Sequence, residues 1–129
     1  MENKFSSENL QSLIAASKDD KELLHFIEDC LKAFEDYHQA IYEMEIWAKI
    51  YNYGVLEREE YQDKLTRMDK ARTACHNAML GKINVLNRMA EKASVGPIYS
   101  GTVSEEMPYR REVADAALDF VERVVAGRR

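Results

Sequence analysis

The sharpest chemical signal in this 129-residue chain is Glu35-x-x-His38. On a helix, carboxylate and imidazole at i and i+3 share a face, the spacing used in carboxylate-bridged di-iron bundles. Such a centre needs a second Glu-x-x-His and further carboxylates from partner helices. The downstream helical segment supplies only Asp69 and His76 nearby, so Glu35, His38 and His76 are metal candidates of an incomplete set, and no cofactor is expected. Arg72 falls at a core position of its helical pattern, where an unpaired guanidinium is costly. It therefore has to find a carboxylate, and a folded-back hairpin would bring Glu35 and His38 level with it, His76 lying one turn further along. The expectation is a polar cluster of Glu35, His38, Arg72 and His76, with Tyr37, that fixes helix register; an anion or substrate site is the alternative.

Nucleophilic catalysis finds no support. There is no G-x-S-x-G turn and no glycine loop of the kind that cradles phosphate. Cys30 and Cys75 lie within apolar helical patterns rather than in electropositive, exposed settings that would lower a thiol's pKa. No catalytic residue is assigned, and the chain is read as a non-enzyme. The two cysteines are not spaced as a disulfide framework, which favours a reducing compartment. A net charge of −5 argues against nucleic-acid binding. The basic residues Arg110, Arg111, Arg123, Arg128 and Arg129 gather toward the end of the chain, but Asp115, Asp119 and Glu122 dilute them. No basic, apolar leader and no membrane-length apolar run is present, so a cytoplasmic protein is expected.

The elements that must position these residues are helical. Five Gly and two Pro in 129 residues leave little to interrupt long helices. The pattern predicts one all-α domain spanning residues 1–129: an antiparallel bundle dominated by a long hairpin, with helices at about 7–17, 20–53, 56–93 and 105–126. Ser6 reads as the first N-cap, and Asp19 with Glu22 as the second. Leu23, Ile27, Cys30, Phe34, Tyr37, Ile41, Met44, Ala48 and Tyr51 then alternate spacings of four and three, a heptad seam. Gly54 ends that helix. The next carries Tyr61, Leu65, Met68, Cys75, Met79, Ile83, Leu86 and Ala90 on its core side. A short connection forces the two to fold back, placing Ala48 near Tyr61 or Leu65. The last helix buries Val113, Ala117, Phe120, Val121 and Val124, with Ser104 as N-cap and Pro108 in its first turn.

Two features ask for partners. Around the hairpin tip Ile46, Trp47, Ile50 and Tyr53 are apolar in nearly every direction, more than one helical neighbour can cover. With Tyr99 and Tyr109 of the Gly96–Tyr109 loop they form the predicted interaction surface, for a second copy of the chain or another protein. Asn77, Gly81 and Asn84 are poor helix-interior residues that either receive a loop, the partner helix or another chain, Gly81 permitting a close backbone approach, or form a tolerated exposed face. Asp69, His76 and Asn87 share an edge that could hydrogen-bond the Gly-Pro-Ile-Tyr loop.

The run Arg72-x-x-x-His76-Asn77-Ala-Met-Leu, with Asn84-Val-Leu-Asn87-Arg88, Gly-Pro-Ile-Tyr and the closing Val-Ala-Asp115-Ala-Ala-Leu-Asp119-Phe helix, resembles a group of small uncharacterised helical proteins from Gram-positive bacteria. That resemblance implies an all-helical fold and a bacterial cytoplasmic setting, and carries no activity. In general shape the chain is also similar to bacteriocin immunity proteins, which are antiparallel helical bundles. The expected function is protein–protein interaction by a non-enzymatic bundle, as a homodimer. The alternatives are a ligand- or metal-binding bundle, or a small regulatory or immunity-type protein, including one that contacts nucleic acid through Arg110, Arg111, Arg128 and Arg129.

Overall fold

The computed structural model of the protein describes residues 4–101, 103 and 111–127. Its described residues form four helices: α1 (Ser7–Ala16), α2 (Lys21–Asn52), α3 (Arg58–Lys92) and α4 (Arg111–Gly127). The all-α class and the dominant hairpin agree with the apolar periodicity. The expected start of the last helix at 105, its Ser104 cap and Pro108 lie outside the described residues.

Local chemistry sets the helix ends. Ser6 is extended and its hydroxyl accepts the Asn9 N–H at 3.1 Å, capping α1. The cap of α2 is Asp20, one residue after the expected Asp19; its carboxylate accepts the Leu23 N–H at 3.1 Å. Glu22 thus sits in the first turn, near the positive end of the helix dipole. At the far end Gly54 takes φ +77, a left-handed conformation that suits glycine and closes α2. α3 begins at Arg58 instead of near Leu56, because Val55 to Glu57 complete the reversal, and Glu59 and Glu60 occupy its first turn.

α2 and α3 run antiparallel. Tyr51 stacks on Tyr61 with 4.4 Å between ring centroids, and the Lys64 ammonium lies 4.1 Å above the Trp47 ring. α4 packs along α2, and α1 bridges α4 to α3, so the helices form a ring of two layers, α2/α3 under α1/α4. The layers differ in length. At 1.5 Å per residue α2 and α3 each extend about 50 Å, whereas α4 reaches about 25 Å and α1 about 15 Å.

The core lies where both layers are present. Phe5, Phe34 and Phe120 form an aromatic triangle with centroids 5.2 to 5.6 Å apart. Around it Leu10, Leu13, Ile27, Ile83 and Leu86 are fully enclosed, each worth roughly 1.5–3 kcal/mol of burial. A two-sided strap seals one edge: the Ser6 N–H donates to the Ile98 carbonyl at 2.8 Å and the Ser100 N–H to the Lys4 carbonyl at 2.9 Å. Between Ile41 and His76 no residue is buried. No helix among the described residues is long and apolar enough to cross a membrane.

Candidate functional site

The half of the hairpin that α1 and α4 do not cover is an arm made of the last turns of α2 and the first turns of α3. The heptad seam does not stop where the second layer stops. Tyr37 and Ile41 are buried, but Met44, Ala48 and Tyr51, which continue the same column, are only half-buried, as are Leu65 and Met68 opposite them. At and near the tip Tyr53 is 84% exposed, Val55 78% and Ile46 53%. Trp47 and Ile50 are half-buried, Trp47 being partly roofed by Lys64. Glu43 to Arg72 carries seven acidic and six basic side chains, a net −1, so the arm is close to neutral in a chain of net charge −5.

A polar clasp marks the root of the arm, where α4 meets α2. The Tyr42 hydroxyl donates to Asp115 at 2.6 Å and accepts from Arg111 Nε at 2.8 Å. His38 stacks on the Tyr42 ring, centroids 4.4 Å apart, with Nε2 3.6 Å from Asp115. The hydrogen bond to Asp115 raises the Tyr42 pKa, partly countered by the bond from Arg111. The hydroxyl therefore keeps its proton at neutral pH and serves as a link between helices, not as a nucleophile. Sequence reading missed Tyr42 and Asp115. The signal was there in complementary i, i+4 pairs, His38 with Tyr42 on α2 and Arg111 with Asp115 on α4.

Several expected placements change. His38 engages α4 rather than α3, because α4 covers the side of α2 that carries His38 and Tyr42. Glu35 is exposed, about 200° of helical turn before the buried Tyr37, and does not join Arg72. Among the described residues, a carboxylate beside Arg72 is that of Asp69 on its own helix. Arg72 is half-buried. His76 is buried on α3. Glu35, His38 and His76 are thus not assembled, and among the described residues no group of three or more His, Cys, Asp and Glu side chains is placed to hold a metal ion.

Tyr99, expected at the surface, is buried: its ring packs 4.6 Å from Phe5. Asn87 holds its backbone, as the shared edge with the Gly-Pro-Ile-Tyr loop suggested. Gly96 to Gly101 is therefore part of the core's edge, while Tyr109 lies outside the described residues. Gly81 receives no neighbour: a Cβ there would meet nothing within 4 Å. Arg111 is committed to Tyr42 and Asp115, and Arg110, Arg128 and Arg129 lie outside the described residues. Burial pushes the Cys30 thiol up to about 12 and raises Cys75 as well, so neither is an activated thiolate.

No curated protein and no solved structure matches the chain. The family model described as "Protein of unknown function (DUF3232)" matches residues 2–129. The chain therefore belongs to DUF3232, a family without an assigned activity.

Proposed function

We propose that the chain is a non-enzymatic helical protein that acts through protein–protein association at the hairpin arm, with a second copy of itself as partner. The observation that carries this reading is the interrupted coverage of one apolar seam, buried as far as Ile41 and half-open from Met44 onward. The half-exposed apolar side chains of Met44, Ala48, Tyr51, Leu65 and Met68 gain about 25 cal/mol for each Å² that a partner covers. Tyr and Trp, both present on the arm, are frequent anchors of such contacts. The small net charge of the arm means that two copies meet without strong repulsion. A bacterial cytoplasmic setting fits the free thiols Cys30 and Cys75 and the resemblance carried by the Arg72–Asn87 segment.

The test is the solution mass, by light scattering and sedimentation over a wide concentration range, of the wild type and of Ala48→Glu and Trp47→Ala. The expected result is a wild-type dimer and an Ala48→Glu monomer of unchanged helicity, with Trp47→Ala weakened. A wild type that stays monomeric throughout removes self-association.

A further inference from the structure

We infer that two copies join antiparallel through their arms, each arm filling the vacant half of its partner's second layer. This rests on the self-association reading above and adds the partner's orientation. The vacancy has a definite shape. α1 and α4 lie on one face of the α2/α3 hairpin, and the uncovered part of the seam is the continuation of that same face. Among the described residues nothing continues the second layer there, and a layer two helices wide with an apolar side would complete it. The arm of a second copy is such a layer, two antiparallel helices with Met44, Ala48, Leu65 and Met68 along it.

Orientation follows from exclusion of volume. If the arms paired face to face and parallel, the α1/α4 layers of both copies would need the same space between the two hairpins. Turned end for end, each copy's α1/α4 layer instead lies beyond the other's tip. The two-fold axis then passes near Ala48, at the middle of the arm, and α2 crosses over the partner's α2. This arrangement also carries Tyr53 and Val55, the most exposed large apolar residues among those described, toward the other copy's root, where α4 presents the half-buried Val113. A parallel pair would leave both tips in water. The closed two-fold contact uses the same patch from each copy and stops at two. Its two-helix width and short length put it at or below the size of a standard interface, roughly 800 Å² per partner, so the dimer dissociates on dilution.

The experiment uses the full chain in a Cys75→Ser background, leaving the buried Cys30 in place. Spin labels go on Lys21→Cys, an exposed position at the end of α2 farthest from the tip. From Lys21 to Ala48 is about 40 Å along the helix, so antiparallel arms separate the two labels by about 80 Å and parallel arms by far less. A second measurement mixes single variants under mild oxidation. The antiparallel arrangement expects a covalent dimer from Met44→Cys with Tyr51→Cys, and the parallel one from Met44→Cys with Met68→Cys. Long label distances with the first cross-link support the inference. A dimer by sedimentation with short label distances, or with the second cross-link, overturns the orientation and leaves self-association standing. A monomer overturns both.

Discussion

Asn87 and Tyr99 are tied together by one amide: Asn87 Nδ2 donates to the Tyr99 carbonyl at 3.1 Å, while Oδ1 accepts the Tyr99 N–H at 3.1 Å and the Ile98 N–H at 2.9 Å. A side chain on α3 thereby does for a non-helical segment what a neighbouring strand would do. It satisfies three backbone groups beside the core and lets Ile98 and Tyr99 be buried without a polar penalty.

Replacing Asn87 by Ala leaves those groups without their partner, at a cost of about 3 kcal/mol. Amide exchange is the informative readout. Ile98, Tyr99 and Ser6 should lose protection together, since the Ser6 N–H depends on the Ile98 carbonyl. If only global stability falls and these three amides remain protected, the amide is not the tie.

Gly81→Ala should stabilise the chain. Glycine inside a helix costs about 1 kcal/mol relative to alanine, and the added methyl enters open space. Thermal unfolding should move up by a few degrees. A lower midpoint would mean that something in solution packs against this face.

Alkaline pH should weaken the fold through Cys30. Its thiol rises from an ordinary 9.0 to about 12, chiefly by burial, with Lys82 opposing and Asp29 adding. The folded state thus keeps the proton while the unfolded chain loses it. The resulting stability is whole below pH 9.0, and is lost as pH rises toward about 12. Urea midpoints taken near neutral pH and near pH ~10.5 should fall more for the wild type than for Cys30→Ala. Equal falls in the two proteins would assign the alkaline loss to other groups.

Trp47, the single tryptophan, reports on the arm. It is half-buried beneath Lys64, and the proposed dimer would cover it further. Its emission should shift to the blue as concentration rises, in step with the mass, and Ala48→Glu should abolish the shift. Emission independent of concentration in a protein that does dimerise would place the contact elsewhere.

How much could be read from the residues divides along one line. The three-four rhythm from Leu23 to Tyr51 states which side of α2 faces apolar surface, and so gives the hairpin. It does not state what supplies that surface. Met44 and Phe34 look alike in the pattern, yet α4 covers one and not the other, because coverage depends on the length of a different helix. Arg72 was read as a buried cation for the same reason. Asp69 was available as a local partner, but the choice between Asp69 and Glu35 depends on how far round α2 the carboxylate sits. His38 was placed against α3 because a hairpin has only one obvious neighbour; the second neighbour, α4, is distant in sequence. Tyr99 looked like surface because it follows Gly96 and Pro97, and only the return of Phe5 from the other end of the chain makes it core.

That return has a consequence for the order of synthesis. On the ribosome Phe5 is made early and has no Tyr99 to pair with until the whole hairpin has been made. Phe34 likewise waits for Phe120. A nascent chain paused after Lys92 would present the full length of its apolar seam, not just the arm, because α4 has not yet been made.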